Sequence, residues 1–342
     1  MAILVGLYSL VSQAVCRAKA ALVRAGLRKP WKAPFPVVSV GNLTLGGSEK
    51  TPLAMELLTF FLGQGRKPAL VTRGYRGRWE KAGGVLSDGT NVLGAWEDGG
   101  DEPYLVARRV PGAGVFVGRR RALSCLKAGD MGFDLAVLDD GFQHLKLARD
   151  VDIVLYDAAA GRGRREGMSA LKRADIILVK KDGAGTLRRI QSRFSASVFE
   201  YAVESRGLRL PETGKRIEAA ELEGKVVLAF CGIARPERFF SMLEEIGLRP
   251  RTKLAFPDHF PYPESVLGRI AGACEADAIE ALVTTDKDAV KILGRTWAMA
   301  SVPLYVLEIG LALPPAFFEK VRKAAAWTES CSDQSPPRPD LP

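Results

Sequence analysis

No aspartate or glutamate precedes Glu49, while Arg17, Lys19, Arg24, Arg28, Lys29 and Lys32 are all basic. Cysteine is sparse. The five, at 16, 125, 231, 274 and 331, are odd in number, scattered and never spaced C-x-x-C, which excludes a disulfide framework and a zinc finger. They read as reduced, mostly buried thiols of a cytosolic protein. Histidine is scarcer still, with only His144 and His259, so no histidine-rich metal centre is available. Long apolar runs are also missing. The apolar start (Ile3, Leu4, Val5, Leu7, Leu10, Val11, Val15) is broken by Ser9, Ser12 and Gln13, and falls short of the roughly 18–20 residues that span a bilayer. Because its positive charges follow the apolar stretch and no small-residue cleavage pattern is clear, it does not read as a secretory signal.

What is there is a chain of 342 residues, 47% hydrophobic and 26% charged, with a formal charge of +10. The length allows two domains, each with its own core. The charge calls for an anionic partner, and its crowding ahead of Glu49 argues against nucleic acid, for which no recognition module is present. Residues 1–34 read as a cationic amphipathic helix and linker. The helix either lies on an anionic membrane surface or packs on the protein's own core, since periodicity alone does not say which apolar surface it meets.

Short runs rich in β-branched residues follow: 36–40, 68–72, 115–117, 135–138, 153–156 and 176–179. They alternate with helical stretches, which predicts an α/β fold built on a mostly parallel sheet. The pattern recurs at 226–230, 281–285 and 304–307. The glycine-rich stretch 41–51, set between a strand and a helix, makes the expected core over 35–205 P-loop NTPase-type, followed by a second, smaller α/β domain over 206–327 and a disordered tail over 328–342.

The chemistry begins at Gly41-Asn-Leu-Thr-Leu-Gly-Gly-Ser-Glu-Lys50-Thr51, between a strand and a helix. A phosphate-binding loop needs small residues so that successive N–H groups face the phosphates. It also needs a lysine for the terminal phosphates and a hydroxyl for Mg²⁺. Thr44, Leu45, Gly46, Gly47, Ser48, Glu49, Lys50 and Thr51 form the expected nucleotide cradle. Two positions depart from the general pattern, because Thr44 and Glu49 stand where it has glycines. A carboxylate about 5 Å from a phosphate, at an effective dielectric of about 20, costs on the order of 3 kcal/mol per charge. Glu49 must therefore point away, meet a cation, or weaken nucleotide binding. A second signal is the run 135–138 ending in Asp139-Asp140, a strand-end carboxylate pair of the kind that places Mg²⁺ opposite the loop hydroxyl.

The continuation Asp139-Asp-Gly-Phe-Gln-His144 makes the chain recognisable, together with Val40–Gly47, Lys50-Thr-Pro52, Thr72-Arg-Gly-Tyr-Arg-Gly77, Gly100-Asp-Glu-Pro103 and Val117-Gly-Arg-Arg120. Further along come Cys231-Gly-Ile-Ala234, Phe256-Pro-Asp-His259 and Thr284-Thr-Asp-Lys-Asp288. In this order they resemble the tetraacyldisaccharide 4'-kinase family, the lipid A 4'-kinases of Gram-negative bacteria, from the N-terminal helix to about residue 310. The family also carries Ser or Thr where Thr44 stands. The resemblance implies ATP and Mg²⁺, and transfer of the γ-phosphoryl group to the 4'-hydroxyl of an acylated glucosamine disaccharide 1-phosphate. It implies a peripheral enzyme on the cytoplasmic face of the inner membrane, expected to act as a monomer.

By the same resemblance Lys50 neutralises phosphates, Thr51 with Asp139 and Asp140 places the metal, and Glu166 matches a further carboxylate. Asp101 is the base, supported by His259, with Glu102 beside it. Arg119 or Arg120 offsets developing or substrate charge, and Asn42, Arg73 and Tyr75 line the cleft. Plainer readings stand beside these: Asp101 and Glu102 as helix-start carboxylates, residues 119–121 as a solvated basic turn, and His144 as a structural residue. The chain also departs from the family pattern at Phe260, where a second histidine is usual, and in the shorter, more basic segment 158–168. Other P-loop NTPases are the rival class. A guanine reader needs Asn-Lys-x-Asp where this chain has Val179-Lys-Lys-Asp182, and no Cys/His cluster exists to hand over a metal. A non-catalytic relative disabled by Glu49 is the other rival.

Overall fold

A computed structural model describes residues 2–27, 29–44, 49–160, 163–182, 185–293, 295 and 302–326. Leu45, Gly46, Gly47 and Ser48 of the expected cradle, and the tail from 328, lie outside the described residues. Two compact units are present: residues 1–202 with 311–342, and residues 203–310.

In the first unit the helix α1 (Ala2–Arg24) is followed by β1 (Val37–Asn42), α2 (Lys50–Gly63), β2 (Pro68–Thr72) and α3 (Trp79–Ala82). Next come β3 (Gly84–Asp88), α4 (Trp96–Gly99), α5 (Asp101–Arg109), β4 (Gly114–Val117) and α6 (Arg121–Asp130). β5 (Leu135–Leu138), β6 (Val151–Tyr156), β7 (Ile176–Lys180), α7 (Thr186–Gln191) and the start of β8 (Ser197–Arg209), which belongs to the second unit from Val203 on, complete the run. The strands pair in the order β8-β7-β6-β1-β5-β2-β4-β3, parallel throughout except for the antiparallel edge strand β3. β1, β2, β4, β5 and β6 are buried along their whole length, which is why they read as mainly apolar runs in the sequence, with buried Ser39 and Asp152 as polar exceptions. β1 lies between β5 and β6, so the strand order reverses there. In an open parallel sheet that reversal opens a crevice at the carboxyl ends of the strands.

α2 covers the sheet through Leu53, Ala54, Leu57, Leu58 and Phe61, a 3–4-residue spacing on one face. Pro52 is tolerated because it sits in the first turn, where no intrahelical N–H bond is lost. The turn at Gly65 (φ 73°) ends the helix, with Arg66 N–H bonded back to the Phe61 carbonyl at 3.1 Å.

α1 presents two faces. Ser9, Ser12, Gln13, Cys16 and Ala20 fall on one, and the Ser9 hydroxyl donates to the Arg164 carbonyl at 2.7 Å and accepts from its N–H at 3.2 Å. Val11, Val15 and Leu22 fall on the other and are exposed, beside the exposed Arg17 and Lys19. The helix thus packs on the protein by its small and polar residues while an apolar stripe faces outward. Among the described residues no helix is long and apolar enough to cross a membrane.

In the second unit β9 (Arg216–Ile217) pairs with the end of β8. Then follow β10 (Val227–Cys231), α8 (Pro236–Glu245), β11 (Thr252–Ala255), α9 (Glu264–Ala276), β12 (Ala281–Thr285), α10 (Asp286–Ile292) and β13 (Leu304–Ala312). The parallel order is β11-β10-β12-β13. Strand alternation splits the core in two: Val227, Ala229 and Cys231 join Phe239 and Leu243 of α8, whereas Leu228 and Phe230 join Leu267 and Ile270 of α9.

The sequence reading runs the smaller domain on to 327. In the structure the chain rejoins the first unit at Leu311, and α11 (Pro315–Ala324) sets Phe317 and Phe318 against Phe199 and Phe60. These aromatic pairs give the last helix its place.

Candidate active site

Every carboxyl end around the crevice carries a polar side chain: Asn42 on β1, Arg73 after β2, Arg119 after β4, Asp139 after β5, Asp157 after β6 and Lys180 on β7. Close packing fixes several of these ends. A side chain at Gly41 would collide with Phe142, its Cβ 2.4 Å from that of Phe142, so only glycine lets β1 and the Asp139–Phe142 turn approach this closely. Gly74 (φ 65°) likewise sits against the Gly99 carbonyl, which brings the Arg73–Gly77 loop beside the start of α5.

Lys50 and Thr51 open α2. The Lys50 ammonium lies 3.4 Å from Asp140 Oδ1, and Arg165 Nη1 binds the same carboxylate at 2.5 and 2.6 Å. Burial disfavours the charged form of Asp140, but Lys50 and Arg165 outweigh it and hold the carboxyl below its ordinary range. Asp139 takes the opposite course. Burial first, then Glu102 and Asp140, push its carboxyl up to about 6 against the pull of Lys50 and Arg121. Its Oδ2 accepts a 3.3 Å bond from Thr72 Oγ1, while its buried Oδ1 has no hydrogen-bond partner. Thr51 Oγ1 donates to Glu102 Oε2 at 3.1 Å. Asp101, buried at the N-terminus of α5, accepts the Glu102 N–H at 2.9 Å. The positive end of that helix favours both carboxylates, so the helix-start reading and the site reading describe the same two residues.

A second cluster surrounds Asn42. Its Nδ2 donates to Thr44 Oγ1 at 3.1 Å, and Gln143 Nε2 donates to the Asn42 carbonyl at 3.0 Å and to Glu166 at 3.2 Å. Glu166 is buried and bound at both oxygens by Arg173, at 2.8 and 2.9 Å, and the Arg173 guanidinium lies over the Phe142 ring. Expected as a further metal carboxylate, Glu166 is thus committed to an arginine and an amide. Among the described residues no group of three or more His, Cys, Asp or Glu forms a metal cage. Mg²⁺ needs none, since one or two carboxylates with phosphates and water suffice.

Arg73 and the Arg119 backbone meet through Glu80, which binds Arg73 Nε at 2.6 Å and accepts the Arg119 N–H on its carbonyl at 2.8 Å. Arg119 and Arg120 are exposed, and so is Tyr75, with Arg76 over its ring. The buried member of the basic turn is Arg121, which donates to the Gly118 carbonyl at 3.3 Å. Burial draws its pKa down against the attraction of Asp139 and Asp140. The sequence reading placed this residue only within a solvated basic turn over 119–121; the structure buries it at the start of α6.

His144 is pushed down to about 3 by burial and then by Arg121, Arg149 and Lys146, which keeps it neutral and fits a structural role. His259 belongs to the second unit. It stands in the left-handed region (φ 61°), its N–H donates to the Gly232 carbonyl at 3.1 Å, and its Nε2 lies 3.3 Å from Lys287 Nζ.

Glu49 meets a cation. It caps α2 in a left-handed conformation (φ 52°, ψ 20°), where a non-glycine residue costs about 1–2 kcal/mol. Its carboxylate, only 6% exposed, lies 3.5 Å from Lys180 Nζ and accepts from Tyr201 Oη at 3.3 Å. Lys180 also faces Asp157 at 3.6 Å.

The profile of the tetraacyldisaccharide-1-P 4'-kinase family matches residues 1–326. A tetraacyldisaccharide 4'-kinase of Desulfotalea psychrophila is 35% identical over 336 residues, covering 91% of this chain and 93% of the relative. One from Desulfatibacillum aliphaticivorans is 37% identical, covering 95% and 91%. The crystal structure of LpxK from Aquifex aeolicus in complex with ATP superposes with a TM-score of 0.75 at 26% identity, covering 93% of this chain and 98% of that one. With motifs, fold and relatives in agreement over most of its length, the chain belongs to the tetraacyldisaccharide-1-P 4'-kinase family.

Proposed function

We propose that the protein transfers the γ-phosphoryl group of ATP to the 4'-hydroxyl of a tetraacylated glucosamine disaccharide 1-phosphate. The observation that carries this reading is the convergence of Lys50 and Thr51 on the carboxylates Glu102, Asp139 and Asp140 at the sheet crevice. Lys50 offsets the terminal phosphates. The unpartnered Oδ1 of Asp139, with Asp140 and the Thr51 hydroxyl, supplies the hard oxygen donors that suit Mg²⁺. When bound, the metal neutralises phosphate charge. Asp101 accepts the proton of the sugar hydroxyl as its oxygen bonds to the γ-phosphorus and the bond to the β-phosphate bridging oxygen breaks. A carboxylate is base enough, because loose phosphoryl transfer asks mainly for positioning. Arg119 and Arg120, exposed at the end of β4, offset substrate phosphate charge, and Asn42, Arg73 and Tyr75 line the approach.

The outward apolar stripe of α1 with its basic neighbours supports peripheral attachment to the anionic cytoplasmic face of the inner membrane. The guanine-switch reading loses ground at Lys180, which is engaged by Glu49 and Asp157 where a guanine reader would present its lysine to the base. The test is a kinase assay with ATP, Mg²⁺ and the acylated disaccharide 1-phosphate in detergent. A folded protein that adds no second phosphate would sink the proposal.

A further inference from the structure

Glu49 brings a negative charge to the start of α2, where the proposed site receives the phosphates of a nucleotide. It caps α2, whose first turn carries Lys50 and Thr51, and the positive end of that helix is what attracts phosphate. A carboxylate here competes with the nucleotide for the same field. The backbone adds to the cost, since the left-handed conformation at Glu49 is one that glycine adopts freely. Yet the side chain is not turned out to solvent. It is buried against Lys180 at the end of β7 and Tyr201 of β8, and Lys180 is itself shared with Asp157 at the end of β6. The end of β7 and Tyr201 within β8 thus meet the last residue of the phosphate loop, and the end of β6 reaches it through Lys180.

We infer that Lys180 is a positioning and charge-balancing residue for nucleotide binding, acting through Glu49 and not on the substrate itself. Its ammonium cancels the Glu49 carboxylate and, with the Tyr201 hydroxyl, holds that carboxylate toward β7 and β8. The field at the start of α2 is then left to Lys50 and the loop amides. Lys180 is therefore part of the same departure as Glu49: the glutamate is compatible with a phosphate site because this lysine faces it. The inference rests on the proposed nucleotide site and concerns how this chain sustains it.

The test is equilibrium binding of Mg-ATP to the full-length protein, without acceptor, for wild type, Lys180→Met, Glu49→Gln and the double variant. Lys180→Met removes this counter-charge from Glu49 and weakens ATP binding about tenfold or more. Glu49→Gln alone shifts affinity the other way, tightening it by about two- to fivefold, since Lys180 then adds to the positive field. In the double variant most of the loss caused by Lys180→Met is recovered. In steady state the effect of Lys180→Met falls on KM for ATP, while kcat and KM for the acceptor change by less than about threefold.

A merely structural lysine would lower kcat and both KM values together, with no recovery on adding Glu49→Gln. That result would overturn the inference, as would unchanged ATP binding in Lys180→Met. If Lys180→Met does not fold, Glu49→Gln decides alone: weaker ATP binding than wild type overturns the inference. Wild type that binds no ATP would remove the kinase reading as well.

Discussion

The Thr51 hydroxyl donates to Glu102 Oε2 at 3.1 Å, so a residue expected beside the acceptor lies against the hydroxyl of the phosphate loop. Glu102 also raises the carboxyl of Asp139, which places it within electrostatic reach of the proposed metal donors. Glu102→Gln should therefore act on the metal–nucleotide side. KM for Mg-ATP is expected to change about three- to tenfold, with KM for the acceptor nearly constant. Initial rates across both substrate concentrations check this, and an effect confined to the acceptor would return Glu102 to the sugar cleft.

Asp139 yields a pH prediction. Its folded carboxyl, raised to about 6 from 3.8, holds a proton more tightly than it does in the unfolded chain. Its charge therefore destabilises the nucleotide-free protein fully above about pH 6. That penalty is relieved as pH falls from 6 toward 4. Asp139→Asn removes the penalty and should stabilise the nucleotide-free protein at pH 8 by about 2–3 kcal/mol, while abolishing phosphoryl transfer. Melting curves at pH 8 and pH 5 test this: the advantage of Asp139→Asn must shrink at the lower pH.

Glu166 separates a metal role from a packing role. Its carboxylate is held by Arg173 and Gln143 beneath α1. Glu166→Gln leaves Arg173 without its counter-charge and should cost about 2–3 kcal/mol of stability, discounted because Arg173 retains contact with water. The Mg²⁺ concentration giving half-maximal rate should stay within about twofold of wild type. A large rise in that concentration with unchanged melting would restore Glu166 as a metal ligand.

The outward stripe of α1 sets a membrane test. Val11→Glu with Val15→Glu places two charges on the face opposite Ser9 and Ala20, so the packing against residues 164–165 is untouched. Partitioning onto vesicles containing anionic lipid should fall about tenfold or more, since apolar burial is lost and repulsion is added. Unchanged flotation with such vesicles would assign the stripe no role in attachment.

The contrast between β1 and β8 shows what was legible in the sequence. β1, β2 and β5 lie deep in a parallel sheet, so burial on both faces leaves a plain apolar run, and the residues at their ends could be placed at once. β8 mixes Glu200, Glu204 and Arg206 with Phe199 and Tyr201, and it fell across the expected join between domains. The short strands β3 and β11 were missed because they are only partly buried and carry few apolar residues. Partners distant along the chain were invisible. Lys180 is 131 residues from Glu49 and Tyr201 is 152 away, and nothing local marks either as a neighbour of the phosphate loop. The sequence posed the problem of Glu49, and only the packing of β7 and β8 supplied its cation.

Asp101 is the residue on which the proposed chemistry turns. It is buried at the first position of α5, with the left-handed Gly100 before it and its Oδ1 accepting the next residue's N–H. That hydrogen bond fixes where the carboxylate points at the start of the helix. Asp101→Asn keeps shape and one acceptor but cannot take the hydroxyl proton. Turnover is expected to fall about 10²–10⁴-fold while ATP affinity changes less than about threefold. Equilibrium ATP binding and kcat on the same preparation provide the comparison. A near-normal kcat would show that solvent or another group takes the proton, and would leave Asp101 as a helix-start carboxylate alone.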